Sequence, residues 1–318
     1  LDEVHDNNIE GSAKSYQLAF KSYMERTGES PFTKAEEYAI LGESDKLIEE
    51  LKNGVELDEK AARVIRNFIC RFCNVEALKA WDELHSDEIK NEYSEYLLSI
   101  AAYEGNYEVF KYLFNENIDD DFIINMTLTR AAKAGSYDIC KYILENGNLG
   151  EQISCADFLI AAFQGKNIDV FRLLAVFFKD NGQLNELDVC NIFDRLVIEW
   201  NQFTKDVIDC LMDDCNLNMQ VFVNDHVDYQ TLKYMFDKGK NLSVFDLRNA
   251  IRSKNAETVK LVLDMGADPN QTSFDFSTDI EDNMIYLLPY DECIAVATPK
   301  FPNCRNAAIM YGTPEIVQ

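Results

Sequence analysis

The fold is decided by the stretch Ser99-Ile-Ala-Ala-Tyr-Glu-Gly-Asn-Tyr-Glu-Val-Phe-Lys-Tyr-Leu-Phe-Asn-Glu-Asn117. It predicts a helix that ends in paired alanines, a tight turn at Gly105 and Asn106, and a second helix from Glu108. The pattern recurs over Thr129–Gly147 and again over Ile160–Leu174, where the turn has one extra residue. A helix pair that repeats about every 30 residues cannot bury its apolar face alone, so the sequence predicts a stacked solenoid.

Weaker copies of the pattern continue on both sides of these three units. They cover Ala39–Leu51, Ile69–Trp81, Val197–Met212, Gln230–Gly239, Leu247–Asn270 and a truncated copy at Asn306–Gln318. Small residues before each turn allow neighbouring helices to approach closely, and a turn glycine accepts a positive φ. We therefore predict an all-α helical solenoid of about nine helix-turn-helix repeats.

The chain divides by pattern into four segments. Residues 1–30 hold one helical pattern and are predicted to form an N-terminal cap, with an apolar stripe at Tyr16, Ala19, Phe20, Tyr23 and Met24. Residues 31–270 carry the repeats, 271–304 form a long insertion or a degenerate repeat, and 305–318 begin a further, truncated repeat.

Three motifs carry a family resemblance. They are the Ala-Ala-x-x-Gly block at 101–105 and 131–135, the Glu-Val-Phe-Lys-Tyr-Leu run at 108–113, and the ending Gly266-Ala-Asp-Pro-Asn270. On these residues the chain resembles the ankyrin repeat family over nearly its whole length. The resemblance implies an ankyrin-type solenoid that recognises proteins. The divergent units are similar to the arrays of large DNA viruses, intracellular bacterial pathogens and protists.

The chain departs from the family at the start of each repeat. Where the family has Thr-Pro-Leu-His, this sequence has Tyr96-Leu-Leu-Ser99 in one repeat and Met126-Thr-Leu-Thr129 in the next. The loss removes the hydrogen bonds that the family's histidine supplies. We therefore expect short or helical connections between repeats.

Composition narrows the classes of partner. With 47% apolar and 12% aromatic residues in 318, the chain is not disordered. A formal net charge of -26 and a pI near 4.4 disfavour nucleic acid and anionic membranes as partners, because both bind clustered Lys and Arg. The main effect of this negative charge is to keep the chain soluble and monomeric, and it would also attract a basic partner surface. There is no apolar run of about 18 residues, so we predict no membrane span.

The cysteines and histidines favour structure over catalysis. Nine cysteines are an odd number, and most lie at apolar helical positions, so free buried thiols in a reducing compartment are predicted. Cys70 and Cys73 have the spacing of a redox or zinc half-site, but no second ligand pair follows, and packing is the preferred role. His85 is expected to lie in a loop or at a helix end, and His226 is the best catalytic or ligand candidate among the histidines, which also include His5.

Two acidic segments resemble metal sites only loosely. Residues 275–286 have Ile280 at the sixth position, where a calcium loop has glycine, and Tyr286 at the twelfth, where it has glutamate. Asp119-Asp-Asp121 is predicted to cap a helix N-terminus. We therefore predict no metal and no cofactor.

Two surfaces are candidates for partner binding. Near the alanine pairs, the residues expected on the inner surface of the solenoid are Tyr96, Tyr103, Glu104, Lys133, Phe163 and Gln164. In the 271–304 segment, aromatic residues stand among acids, as is typical of binding hot spots; those singled out are Phe274, Phe276, Tyr286 and Tyr290. This segment has a second interpretation, in which it folds back and covers the stack, and both stay open.

We therefore predict a monomeric, non-catalytic scaffold or adaptor for protein–protein recognition in the cytoplasm, or in a host cytosol if it is the secreted effector of a pathogen. The alternative is the substrate-recruiting region of an enzyme whose catalytic domain lies beyond residue 318. A third hypothesis places chemistry at 271–304 or near His226. The sequence starts without Met and stops inside a repeat, so we expect a fragment of a longer chain.

Overall fold

The computed structural model describes most of the chain up to residue 268. The described residues are 13–85, 94–114, 120–150, 154–185, 188–189, 192–193, 195–196, 198–217, 228–242, 247, 250–251 and 253–268. The chain divides into two compact units, residues 1–177 and 178–318.

The first unit is built from helices. They are α1 (Ala13–Thr27), α2 (Lys34–Leu41), α3 (Ser44–Lys52), α4 (Glu59–Phe72), α5 (Val75–Leu84), α6 (Ser94–Glu104), α7 (Tyr107–Phe114), α8 (Asp121–Ala134), α9 (Tyr137–Asn146), α10 (Cys155–Gly165) and α11 (Ile168–Asp180), which ends three residues past the unit boundary.

Helices α2 to α10 form two packed rows. In the first row α2, α4, α6, α8 and α10 lie side by side, each against the next. In the second row α3, α5, α7 and α9 do the same, and the pairs α2–α3, α4–α5, α6–α7 and α8–α9 pack across the rows. This arrangement confirms the predicted all-α helical solenoid.

Small side chains set the spacing of the first row. Ala101 and Ala102 of α6 and Ala131 and Ala132 of α8 are all completely buried. A methyl group at these positions lets two helix backbones approach closely. The paired alanines in the sequence therefore have the packing role predicted for them.

The turns between paired helices use the positive φ that the glycines predict. Gly42, Gly105 and Gly135 have φ between 71° and 74°. In the next repeat Lys166 takes this conformation, with φ 53°. There Gly165 has a different purpose, because a Cβ on it would lie 2.6 Å from the Lys133 carbonyl oxygen. Because this turn has one extra residue, Gly165 makes the close helix contact and Lys166 takes the left-handed conformation.

Side chains at the turns link consecutive repeats. The Asn74 backbone N–H donates to the Ser44 hydroxyl at 3.0 Å. The Asn106 amide donates to the carbonyl oxygens of Cys70 at 3.2 Å and Cys73 at 2.8 Å. The Asn167 amide likewise donates to the Gly135 carbonyl at 3.1 Å. Each bond satisfies a backbone group that a helix end leaves without an intrahelical partner.

We expect the Asn106→Ala variant to lose about 1–3 kcal/mol of unfolding free energy, because two part-buried carbonyls lose their donor. Urea denaturation followed by circular dichroism measures the loss. Asn146→Ala is the matched control, since that exposed amide bonds only Tyr142 of its own helix, and its effect should stay below about 0.5 kcal/mol. Equal losses from the two variants would contradict the role of the turn link.

Helix α1 has the amphipathic stripe expected from its sequence. Phe20 is buried, Tyr16, Tyr23 and Met24 are half-buried, and Ala19 is exposed. The stripe is therefore narrower than predicted, because Ala19 lies at its edge.

The second unit contains shorter helical elements where later repeats were predicted. They are α12 (Gln202–Asp209), a π-helical turn (Cys210–Asp214), α13 (Tyr229–Asp237) and α14 (Ala256–Asp264). Helix α13 packs against both α12 and α14. The side-chain oxygens of Asn201, Asp228 and Asn255 accept hydrogen bonds from the first turns of the three α-helices and so cap them.

Candidate protein-binding surface

One face of α8 presents an uninterrupted stripe outside the stack. Phe122, Met126, Thr129 and Lys133 follow each other at intervals of four, three and four residues, which keeps them on one helical face. Phe122 is 73% exposed and Lys133 is also exposed, while Met126 and Thr129 are half-buried. An exposed phenylalanine of this size is the feature of α8 that core packing does not explain.

The neighbouring helices α6 and α10 extend this stripe. Tyr96 and Tyr103 are seven residues apart on α6, and both are half-buried. On α10, Phe163 is half-buried and Gln164 is exposed. Because α8 packs against both helices, the predicted residues lie on adjacent elements. We call the set the first-row surface; it consists of Tyr96, Tyr103, Phe122, Met126, Thr129, Lys133, Phe163 and Gln164.

Glu104 differs from its neighbours in the predicted set. Its carboxylate forms an ion pair with Arg71 of α4, and the two side chains are only 7% and 3% exposed. The pair joins the ends of two stacked helices, so the structure favours a packing role for Glu104 over contact with a partner. The sequence alone did not indicate this pair, because it does not show which side chains of consecutive repeats face each other.

A second polar link joins α6 to α8. The Arg130 guanidinium donates to the Ser99 hydroxyl at 2.6 Å, and that hydroxyl donates to the Tyr96 carbonyl at 2.8 Å. Ser99 is completely buried. The link holds together the helices that carry Tyr96 and Phe122.

The other predicted binding residues cannot be placed in the same way. Phe274, Phe276, Tyr286 and Tyr290 lie outside the described residues, as does the whole of 271–304. The same applies to His5 and His226.

Cys70 and Cys73 lie in the core and have the properties of structural thiols. Burial raises the pKa of Cys70 to about 12 and that of Cys73 to about 11, so both stay protonated at neutral pH. Within the part of the chain that the structure describes, no group of three or more His, Cys, Asp or Glu side chains could hold a metal ion.

His85 has the helix-end role predicted for it. It ends α5 and stacks on Trp81, with ring centroids 4.0 Å apart. Its Nδ1 lies 3.0 Å from the Trp81 carbonyl oxygen.

The π-helical turn brings together the thiols of Cys210 and Cys215, a contact that the sequence did not predict. The Cys215 backbone N–H donates to the Cys210 carbonyl at 2.9 Å, five residues back. A hydrogen bond with the Cys210 thiol lowers the pKa of Cys215, against the effect of burial. Ordinary helical spacing of three or four residues could not have indicated this contact.

A charged cluster in the second unit was also missed. The Asp209 carboxylate lies 2.6 Å from the Lys238 ammonium and 3.0 Å from that of Lys205, and it accepts a hydrogen bond from the Tyr234 hydroxyl at 2.6 Å. Burial alone would raise the pKa of Asp209, but the hydrogen bonds from Lys238, Tyr234 and Lys205 outweigh it and lower the pKa to about 2. The cluster ties α12 to α13.

We expect this cluster to stabilise the second unit above pH 4 and to lose its effect as the pH falls from about 3.8 to about 2. The sign follows from a folded-state pKa of Asp209 below the ordinary value of 3.8. Hydrogen exchange of α12 and α13 as a function of pH measures the loss. Asp209→Asn should lower the protection of α12 and α13 from exchange at pH 7, and it should remove most of the loss of protection at acid pH. Asp237→Asn, which changes an exposed side chain, should keep both the protection and its loss in acid. An unchanged acid profile for Asp209→Asn would contradict the assignment.

Paired helices stacked in two rows, with a side-chain surface along one row, define a helical-repeat protein. Residues 38–157 match the family model described as ankyrin repeats in three copies, and the two-row helical stack of the first unit agrees with that match. Ankyrin repeats form protein–protein interaction modules. The comparison with curated proteins finds no match. In the described part of the chain, every helix is too short or too polar to cross a membrane.

Proposed function

We propose that the chain is a non-catalytic recognition scaffold or adaptor that binds its protein partner with the first-row surface. The observation that carries the proposal is the exposed Phe122 on the same helical face as Lys133, on a helix that packs against α6, which carries Tyr103. The match of residues 38–157 to ankyrin repeats supports the class of function. An adaptor and a host-targeting factor of a pathogen would both use such a surface.

The chemistry of the surface suits a protein partner. Phenylalanine and tyrosine offer large, rigid contact areas, and residues of this type supply much of the binding energy in protein interfaces. The helices that present them are tied together by buried alanines and by the Ser99–Arg130 link. A surface fixed in this way loses little conformational entropy on binding.

Exposed apolar residues of the second row provide the control. Leu84 at the end of α5 is 50% exposed and Tyr137 at the start of α9 is 39% exposed. Each lies on a different helix from the first-row surface. Truncating them removes comparable side chains without touching the proposed contact.

The experiment compares three versions of the 318-residue chain in partner retrieval with quantitative mass spectrometry. They are the wild type, the double variant Tyr103→Ala/Phe122→Ala, and the control Leu84→Ala/Tyr137→Ala. Two truncated hot-spot residues should lower the amount of specific partner retained by at least about tenfold, whereas the control should retain it. A partner that is kept by the Tyr103/Phe122 variant and lost by the control would overturn the assignment.

A further inference from the structure

Helix α1 lies against the ends of two first-row helices. The Tyr16 ring lies 6.2 Å from the Phe68 ring and 5.6 Å from the Arg71 guanidinium, both on α4. The Gln17 amide donates to the Ile40 carbonyl of α2 at 3.1 Å. Fifteen residues of helix extend about 22 Å, enough to cross two or three helices packed about 10 Å apart. The contacts of α1 thus reach across two repeats.

The residues that α1 contacts occupy the register of the first-row surface. Ile40, Arg71, Tyr103 and Lys133 each stand two positions before the turn residue of their repeat, which is Gly42, Cys73, Gly105 and Gly135 in turn. In the first two repeats, α1 covers this position. In the next two, Tyr103 and Lys133 occupy it on the proposed binding surface. The site of α1 and the binding surface are therefore consecutive parts of one row.

Helix α1 has the pattern of an amphipathic helical ligand. Its aromatic residues recur at intervals of four and three, as Tyr16, Phe20 and Tyr23. A helix of this kind packs on a partner surface through one apolar face.

Few contacts hold α1 on the stack. Phe20 is 6% exposed and its ring lies 5.8 Å from that of Phe32, whereas the other apolar residues of the stripe are half-buried or exposed. Besides Phe20, Tyr16 contacts α4 and Gln17 donates to a carbonyl of α2. Leu18 on the opposite face is 61% exposed. A helix held by one buried aromatic and two half-buried side chains can be released while the repeats stay stacked.

We propose that α1 is an intramolecular ligand of the first row, and that the protein's partner presents an amphipathic helix with aromatic residues at the same spacing. The partner helix takes the positions that α1 holds on α2 and α4 and continues over Tyr103 and Lys133. This inference rests on the proposed recognition function and specifies the chemistry of its partner. Binding is then coupled to displacement of α1, which lowers the apparent affinity for weak ligands.

The test uses a fluorescent synthetic peptide of residues 13–28 and the 318-residue chain. In the wild type the tethered α1 competes at a high effective concentration, so the peptide should bind weakly. In the Phe20→Ala chain the site is open more often, and the peptide affinity measured by anisotropy should rise at least about tenfold. Tyr16→Ala, which alters a half-buried side chain, is a second releasing variant, and Leu18→Ala is the matched control that should behave as the wild type.

Three results would overturn the proposal. The first is peptide binding by folded Phe20→Ala and Tyr16→Ala chains that is no tighter than binding by the wild type. The second is equal binding of a peptide in which both Tyr16 and Phe20 are alanine. The third is a wild-type dimer that the peptide dissociates, because the surface would then belong to α1 of a second copy. If the Tyr103/Phe122 variant still loses its partner in these cases, the recognition function survives and only the helical ligand fails.

Discussion

Replacing Glu104 by alanine is expected to lower the free energy of unfolding by about 3–5 kcal/mol. The carboxylate is the ion-pair partner of Arg71, whose side chain is 3% exposed. Without it, a guanidinium remains in the contact between α4 and α6 with no compensating charge. The stability of a solenoid depends on contacts between neighbouring repeats, so weakening one contact is felt along the stack.

Denaturant titration of the 318-residue chain and its variants tests this expectation. Glu76→Ala is the control, because its ion pair with Lys79 has side chains that are 63% and 43% exposed and should contribute less than about 1 kcal/mol. The double variant Arg71→Ala/Glu104→Ala should lose less than the sum of the single variants, since neither charge is then left alone. A loss from Glu104→Ala no larger than that from Glu76→Ala would show that the pair is not desolvated as described.

Replacing Trp81 by alanine is expected to be equally severe, at about 3–5 kcal/mol. Trp81 is 1% exposed on α5, where that helix packs against α3, α4 and α7. The variant would leave a cavity at the centre of the second row. Helices that cannot move together without breaking other contacts leave such a cavity only partly closed.

Circular dichroism melting is the suitable measurement, because the change removes a fluorophore. His85→Ala separates the two contributions of this pair, since it removes only the stacked imidazole, and we expect it to cost about 1 kcal/mol. If Trp81→Ala and His85→Ala have the same melting temperature, the second row repacks around the missing indole ring and the core is more adaptable than the structure indicates.

The fold could be predicted because the same sequence features recur in successive repeats. Paired alanines, a turn residue with positive φ and an apolar stripe appear in sequence order. One repeat shows all three in the structure, with Ala131 and Ala132 buried, Gly135 at positive φ, and Ile139 and Ile143 buried. The links between repeats could not be predicted in this way. The bonds from Asn106 to the Cys70 and Cys73 carbonyls depend on how two turns face each other in space.

The candidate site was predicted in part. Register alone placed Tyr103 and Lys133 on one face of adjacent helices. It also suggested Glu104 as a binding residue, because the sequence does not show that Arg71 lies opposite. Phe122 was missed, since it stands eleven residues before Lys133 and far from the alanine pair that marked the other positions. Three turns of helix bring it back to the same face.

Photocrosslinking tests the central claim most directly. A photoreactive phenylalanine analogue replaces Phe122 in one variant of the 318-residue chain. In a second variant it replaces Tyr137, on the second row. If the first-row surface binds the partner, irradiation should give a specific adduct from position 122 that the Tyr103→Ala change reduces, and none from position 137. An adduct from position 137 with none from position 122 would contradict the account and move recognition to the second row.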